Sequence, residues 1–439
     1  MTADRCPVRP QPNPNFLMPN MPLIMSYSRP PLPMTALDPK SWANASITHR
    51  WPEIARRIFS ENKLTPAIMD RIEVLIADIP NAPIREICDP GAPDEVVWNQ
   101  SLPPYLGKNW LEVPWFFAEH YFYRRVIEAI GYFQPGDGCK LDPFLFQKQH
   151  GLELSRAAIR DLAQRVAGWM HPGGDRESLI RLLYLDLWGN QADLSMWPAD
   201  GASKPGHADL DQAREFLLAD QAADVADYLL QQQTTEIFEN LRGLRVDFVI
   251  DNAGFELVSD LVLADYLLST GIAAQVRFHV KPHPTYVSDA MIKDVRATLD
   301  FFRADADLQV NALGSRLAGF WEQDQLQVRK NFFWTSPLPG WEMPIPLREE
   351  LSAADLVISK GDANYRRLLG DLNWPCFTLF SEILDYFPIP AVALRTVKAE
   401  IICGLKPGQA EQVTAQDPGW MVNGRWGVVQ FARPLTTDR

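Results

Sequence analysis

The chain has 439 residues, of which 46% are hydrophobic, and a formal net charge of −13 at pH 7. This length suffices for a large core divided between domains, and the acidic balance argues against nucleic acid or an anionic membrane as the main partner. No run of apolar residues is long enough to predict a membrane span. The N-terminus lacks the pattern of a secretory signal, so we expect a cytoplasmic protein, with no obligate protein partner evident.

The first 240 residues are predicted to contain a tail and a helical region. Residues 1–34 carry nine prolines, too many for a helix or a central strand, and predict a disordered tail. After it, apolar positions recur at a period near 3.6 and predict helices. Residues 35–240 are therefore expected to form a mostly helical domain, with helices at 51–62, 65–79, 112–131, 153–169 and 177–188 and one long or two short helices at 209–241.

Residues 241–439 are predicted to form an α/β domain. Short, mostly apolar runs predict buried strands at 246–250, 274–280, 326–330, 355–359 and 391–396. Helical spacing follows several of them, from Glu256 onward, from 288 to 302 and at 363–369. Alternating strands and helices favour a parallel sheet covered by helices on both faces. The predicted fold class is therefore α/β, a three-layer α/β/α Rossmann-like domain with a mostly helical N-terminal domain.

Oxygen-bearing side chains follow the first two of these strands. Asp251 and Asn252 end the first strand, and Asp289 comes after the second. If the two strands are neighbours, these groups meet at the carboxyl edge of the sheet, where α/β folds bind ligands. Two carboxylates and an amide without His or Cys suit Mg²⁺ or Mn²⁺ better than zinc. The alternative is that Asp251 and Asp289 cap helices and Asn252 fills a turn.

Cations fall near the ends of two later strands. Lys360 precedes Gly361 at a strand-to-helix turn, and Arg366 lies one turn into that helix. Arg395 and Lys398 lie at or beyond the end of the last predicted strand. Taken singly, each is more often a solvated surface charge. Together with a divalent metal, however, they provide what a phosphate ester requires during phosphoryl transfer.

The helical domain is the only large element available to cover such a site and to recognise the rest of a substrate. Glu119 and Asn190 are polar residues inside apolar or aromatic stretches, and leaving such groups buried without partners is costly. We therefore expect both to face the pocket and to select among substrates. The alternative for Glu119 is an ion pair with Arg124 on the same helix.

Several motifs resemble the metal-dependent damage-control phosphatase family, once filed as a domain of unknown function. The resemblance covers about residues 30–404, and its motifs are DNAGFE (251–256), KGDANYR (360–366), RTVK (395–398), WFFAEHYFYRR (115–125) and LWGNQAD (187–193). The RTVK motif is similar to the RTxK signature of the sugar-phosphate phosphatase subfamily. Ala363, where relatives often have Leu, is a departure that should leave the site intact.

The resemblance implies a metal site at Asp251, Asn252 and Asp289, usually served by Mn²⁺, Co²⁺ or Ni²⁺. It also implies substrate contacts, which are expected from Asp251, Asn252, Lys398 and the loop that includes Asp362, Asn364 and Arg366. The substrates implied are phosphorylated sugars such as fructose 1-phosphate and fructose 6-phosphate.

Two other functions stay open. Some family members have been described as S-adenosylmethionine-dependent methyltransferases acting on protein glutamate. Such an enzyme would be expected to have a glycine-rich loop after its first strand, and this loop has only Gly254. The other alternative is an inactive binding protein, which the retention of every expected ligand position disfavours.

Overall fold

One mixed sheet organises the molecule. A computed structural model describes residues 30–189, 214–239 and 242–434. Seven strands form the sheet in the order β1-β7-β6-β5-β2-β3-β4. They are β1 (Leu217–Asp220), β2 (Arg245–Val249), β3 (Gln275–Val280), β4 (Leu326–Lys330), β5 (Leu356–Lys360), β6 (Ala391–Thr396) and β7 (Gly427–Ala432).

Helices surround this sheet. The described α-helices are α1 (Trp42–Ala45), α2 (Trp51–Glu61), α3 (Pro66–Asp78), α4 (Glu95–Ser101), α5 (Trp115–Ile130), α6 (Leu145–Leu154), α7 (Arg156–Ala167), α8 (Arg176–Trp188), α9 (Ala222–Glu239), α10 (Phe255–Ser269), α11 (Ile292–Arg303), α12 (Leu308–Glu322), α13 (Ile345–Ser352), α14 (Gly361–Leu368), α15 (Phe380–Ile383) and α16 (Gln409–Gln416). A π-helical turn (Ser46–Arg50) joins α1 to α2. None of the described helices is long and apolar enough to cross a membrane.

The strand order creates a crevice in the middle of the sheet. β2 pairs in parallel with β3 on one side and with β5 on the other, and β4 and β6 extend the parallel region. The chain runs outward from β2 through β3 and β4, and then returns to β5 and β6 on the opposite side. The switch point of this topology therefore lies between β2 and β5, and crevices of this kind hold ligands at the carboxyl ends of the strands.

Both faces of the sheet are buried, which explains why its central strands are rich in apolar residues. Side chains alternate across β2, so Val246 and Phe248 pack against the layer of α6 to α12, while Val249 faces the layer that includes α2 to α5. Burying each side chain of this size stabilises the fold by roughly 1.5–3 kcal/mol. The predicted α/β/α architecture is confirmed, but the N-terminal helices divide between the two faces.

The edge of the sheet differs from the prediction. β1 interrupts the stretch that was predicted to be helical, and it pairs with β7, a second strand that the sequence analysis did not predict. β7 runs antiparallel to β6. β1 precedes residue 240, so the domain boundary predicted there would separate one strand from the rest of its sheet.

The end of the predicted tail and one long helix also differ. Met34 is buried and its N–H donates to Asp371 O, so the residues next to the tail boundary pack on the core. The helix predicted at 153–169 is the shorter α7, Arg156–Ala167, and the first two residues of the predicted range end α6.

Candidate functional site

The carboxyl end of β2 carries the first two candidate residues. Asp251 and Asn252 follow the strand directly, and α10 begins at Phe255. The turn between them contains Gly254, whose φ of +74° and ψ of −145° belong to a region that glycine adopts readily. The sequence therefore places both side chains at the edge of the sheet, as predicted.

Asp289 reaches the same place through a short backbone pairing. Asn252 and Asp289 form an antiparallel bridge. Ala253 N–H donates to Ser288 O at 2.7 Å, and Ala290 N–H donates to Asp251 O at 2.8 Å. Since α11 begins only at Ile292, Asp289 is not a helix cap, and that alternative is wrong. The structure brings Asp251, Asn252 and Asp289 together.

The two carboxylates are buried and poorly neutralised. Among the described residues, Asp251 Oδ1 and Asp289 Oδ2 have no hydrogen-bond donor, although Lys281 Nζ makes an ionic contact with Asp289 Oδ2 at 3.3 Å. Burial, reinforced by the charges of Asp289 and Glu256, raises the pKa of Asp251 well above its usual range. Burial also raises the pKa of Asp289 to about 6, against the opposing charge of Lys281. Leaving carboxylates in this state is costly unless a cation compensates them.

Asn252 completes an oxygen-rich donor set. Its Oδ1 accepts from Ser288 Oγ at 2.6 Å, and its Nδ2 donates to Asp251 Oδ2 and Glu256 Oε2 at 3.0 and 2.9 Å. Reversing the amide would turn Oδ1 toward the carboxylates, and the Ser288 hydroxyl could then accept instead of donate. Two orphaned carboxylate oxygens and an amide fit a hard divalent cation.

This donor set does not depend on a larger acidic or histidine cluster. Over the described ranges, no group of three or more His, Cys, Asp or Glu side chains is placed to hold a metal ion. A divalent ion at this place would therefore take its third protein ligand from an amide, and Asn252 stays the predicted residue for that role.

Two lysines face these carboxylates, and the sequence analysis missed one of them. Lys281 follows β3, is buried, and donates to Ile250 O and Asn364 Oδ1 at 3.1 and 3.3 Å in addition to its contact with Asp289. Lys398 is half-buried, and its positive charge opposes the rise in the pKa of Asp251. Lys281 begins a Lys-Pro-His-Pro loop, and its position directly after a strand was the signal that could have identified it.

Asp362 and Arg395 hold the backbone next to Lys398 in place. Arg395 Nε donates to Asp362 Oδ1 at 2.8 Å, and Lys398 N–H donates to the same oxygen at 3.2 Å. The Arg395 guanidinium also donates to Ala399 O at 2.9 Å and is completely buried. Arg395 thus holds the turn that carries Lys398, and its contacts give no support to the direct substrate role predicted for it.

Lys360 points away from the candidate site. Its ammonium is buried between Asp186 and Asp260, with Nζ at 2.5 Å from Asp186 Oδ1 and 2.9 Å from Asp260 Oδ1. The last residue of β5 faces the α8 and α10 layer because side chains alternate along a strand. The phosphate contact predicted for Lys360 is therefore corrected to a structural ion pair.

Arg366 and Glu119 are occupied by each other. Arg366 Nη1 lies 2.5 Å from Glu119 Oε2, and its Nε lies 2.7 Å from Asp371 Oδ1. Its guanidinium also stacks on Trp115 at 3.9 Å. These buried contacts occupy both side chains and give no support to the substrate contacts predicted for them. The alternative pair, Glu119 with Arg124, is not formed. Arg124 instead forms ion pairs with Asp89 and Asp94, which precede α4.

Asn364 joins Lys281 to the end of β5. Asn190 lies outside the described residues. Asn364 Nδ2 donates to Lys360 O at 2.9 Å while its Oδ1 accepts from Lys281. The residue before Asn190, Gly189, packs closely on α10, because a Cβ there would lie 2.1 Å from Ser259 Oγ and 3.3 Å from Glu256 Cα. The end of α8 is therefore close to the first turn of the helix that follows Asn252.

Comparison with known proteins identifies the family of this chain. A family model described as the damage-control phosphatase ARMT1-like domain matches residues 46–413. Similar proteins include Damage-control phosphatase ARMT1 of Danio rerio, 36% identical over 80% of this chain and 82% of that protein. The corresponding protein of Mus musculus is 31% identical over 92% of this chain and 98% of its own length.

A solved DUF89 family protein from Pyrococcus horikoshii aligns with 89% of this chain and 98% of its own, at 15% sequence identity and a TM-score of 0.46. The family match and the sequence identities confirm the resemblance that the motifs indicated. This chain belongs to the damage-control phosphatase ARMT1-like family of phosphatases.

Proposed function

We propose that this protein is a metal-dependent phosphatase that hydrolyses phosphate monoesters of sugars, of the fructose 1-phosphate or fructose 6-phosphate type, in metabolite damage control. The observation that carries the proposal is the pair of buried carboxylates, Asp251 and Asp289, at the switch point of the sheet, each with one oxygen that lacks a hydrogen-bond donor among the described residues. Two lysines, Lys281 and Lys398, face this pair. Membership of a phosphatase family supplies the reaction class.

Asp251, Asn252 and Asp289 would hold the divalent ion. Oxygen-only donors favour Mn²⁺ or Mg²⁺ by their chemistry, and the family resemblance adds Co²⁺ and Ni²⁺. When bound, such an ion polarises the phosphoryl group and lowers the pKa of water. The protein contributes a site with little water, since Asp251 and Asp289 are more than nine-tenths buried and Asn252 is half-buried. The Ser288 hydroxyl contacts the Asn252 amide and can donate to its oxygen or accept from its nitrogen.

Lys398 would bind the phosphate and stabilise the charge that develops on its oxygens during transfer. Lys281, whose ammonium already contacts Ile250 O, Asn364 Oδ1 and Asp289, would add positive charge nearby. The first turn of α14 adds backbone N–H groups without helical partners, beginning at Gly361, and such groups favour anions. Asp362 and Arg395 would act indirectly, because they hold the turn that carries Lys398.

Recognition of the sugar is assigned to Asn190, which follows Gly189 in the sequence. Gly189 lies against Glu256 and Ser259, and Glu256 accepts a hydrogen bond from the Asn252 amide. Asn190→Ala should then weaken hydrolysis of a sugar phosphate by about tenfold and leave p-nitrophenyl phosphate, which has no hydroxyls to bind, nearly unaffected. Equal effects on both substrates, or none on either, would place the selectivity elsewhere.

Phosphate release from a panel of sugar phosphates tests the proposal as a whole. We expect turnover with Mn²⁺ that is lost on chelation and restored by Mn²⁺, Co²⁺ or Ni²⁺, and that is absent from folded Asp251→Ala. Turnover that survives chelation would contradict the metal dependence. Methyl transfer to protein glutamate with S-adenosylmethionine, without phosphate release, would favour the methyltransferase. Inactivity in both assays would favour a binding protein.

A further inference from the structure

The loop that delivers Asp289 is strained. Tyr286 and Val287 have φ angles of +48° and +67°, and they directly precede Ser288 and Asp289. Positive φ is rare for residues other than glycine, and for a β-branched residue such as valine it is a genuine outlier. A conformation of this kind persists only where surrounding contacts hold it. Contacts with neighbouring side chains must therefore hold this turn.

Helix α5 supplies one such contact. The Tyr286 hydroxyl lies 3.2 Å from His120 Nδ1, and both side chains are buried. The Tyr286 ring also packs on Tyr123, one turn further along α5, at a centroid distance of 5.0 Å. The turn thus packs on one face of α5 through the aromatic ring and the hydroxyl group of Tyr286.

His120 is itself fixed in orientation. Its Nδ1 lies 2.8 Å from Phe116 O, which only accepts, so Nδ1 carries the proton. Its Nε2 then accepts from Arg367 Nη2 at 2.9 Å. Burial, with the charge of Arg367, lowers the pKa of His120 well below its usual value, which keeps the ring neutral.

Arg367 connects this histidine to the rigid part of the fold. Its guanidinium donates to Trp334 O and Ser336 O at 3.2 and 2.9 Å, and also to Leu338 O. These carbonyls belong to the segment after β4. The Tyr286 hydroxyl contacts His120 as a second acceptor for the Nδ1 proton, which Phe116 O also accepts. His120 is in turn linked through Arg367 to the backbone of the segment after β4.

We propose that His120 and Tyr286 are positioning residues, which hold the strained turn at residues 286–287 and thereby fix Asp289 in the geometry that binds the divalent ion. This inference rests on the proposed function. Neither residue touches the reacting atoms. Their effect is transmitted through the backbone of Ser288 and Asp289, which pairs with residues 251–253. Loss of such an outer contact typically weakens metal affinity by about 10–100-fold.

Two variants test the proposal from opposite sides of the contact. Tyr286→Phe removes only the hydroxyl, and His120→Phe removes its partner. We expect each to weaken Mn²⁺ binding, measured by calorimetry, by about tenfold or more. In the metal-free protein, exchange of the Ala253 and Ala290 amide hydrogens should accelerate, since both bonds depend on the position of the turn. The matched control is Tyr228→Phe, which removes a hydroxyl that donates to Asp355 O at 3.0 Å away from the site.

Relief of the strain provides a rescue that a merely structural role does not predict. Glycine adopts positive φ without penalty, so Val287→Gly in the Tyr286→Phe background should recover most of the lost Mn²⁺ affinity. Failure of the rescue would overturn the role of strain. Wild-type affinity in both single variants would overturn the positioning role, provided that Asp289→Asn abolishes binding. If Asp289→Asn also bound Mn²⁺ normally, the proposed metal site itself would be wrong.

Discussion

Gly361 lies so close to Asp251 that a Cβ at position 361 would be 1.9 Å from the Asp251 Oδ2 atom and 2.7 Å from its Cβ. The contact joins the end of β5 to the end of β2 across the switch point of the sheet. Gly361 also has a φ of +80°. The first residue of α14 is therefore glycine for two independent reasons, a backbone conformation and a space filled by the Asp251 carboxylate.

Gly361→Ala should displace Asp251 and reduce metal-dependent phosphatase activity by about a hundredfold, because catalytic groups tolerate little misplacement. The substitution also adds backbone strain. Gly408→Ala isolates that second effect, since Gly408 has a φ of +78° with no atom within 4 Å of the added Cβ. Similar activity in the two variants would show that the approach to Asp251 is unimportant for turnover.

Lys398→Met should lower kcat/KM by about thirtyfold or more, equivalent to about 2–4 kcal/mol of transition-state stabilisation, because a charged contact to the phosphate is lost. Methionine retains most of the aliphatic stem that packs over Gly424, so the free energy of unfolding should change little. The exposed Lys406, replaced in the same way, is the control. Wild-type kcat/KM in Lys398→Met would place the RTVK turn outside the site.

Lys360→Met should have a different result, a loss of stability of about 3–5 kcal/mol, because Asp186 and Asp260 would keep buried carboxyl groups without their cation. Urea denaturation measures this change. If Lys360→Met is as stable as the wild type but has lost kcat/KM, the ammonium acts on the substrate and is not a structural ion-pair partner.

Glu342 is predicted to reduce stability at high pH. Burial raises its pKa to about 7 from the usual 4.5, so the folded state retains a proton that the unfolded state releases. The penalty for ionising Glu342 therefore develops as the pH rises from about 4.5 to about 7 and is complete above that range.

Glu342→Gln removes this penalty. The variant should unfold with a free energy about 1–2 kcal/mol higher than that of the wild type at pH 8, after allowance for solvent screening, and with a smaller difference at pH 5. The exposed Glu349, changed to Gln, should show no such pH-dependent gain. A gain for Glu342→Gln that is equal at both pH values would contradict the raised pKa.

The sequence predicts the central sheet well because β2, β3, β5 and β6 are largely buried and therefore rich in apolar residues. β4 and β6 have the predicted bounds. β1 was missed because four residues, Leu217–Asp220, lie within a stretch of helical spacing, and their strand conformation depends on pairing with β7, whose residues lie more than 200 positions away. Local patterns carry no information about that pairing.

The same distinction applies to the site. Asp251, Asn252 and Asp289 could be predicted because each follows a strand, and neighbouring parallel strands end at one edge. The partners of Lys360 and Arg366 could not, because Asp186 and Glu119 are 174 and 247 residues away in sequence. A cation at a strand end faces either a ligand or the core, and only the packed structure decides between the two.

Anomalous diffraction from crystals containing Mn²⁺ tests most directly the claim that these three residues hold a catalytic metal. The account predicts one strong peak in contact with carboxylate oxygens of both Asp251 and Asp289 and with the Asn252 amide oxygen, and no peak there in Asp251→Ala. A wild-type crystal grown at saturating Mn²⁺ without a peak between Asp251 and Asp289, or with its strongest peak elsewhere, would contradict it.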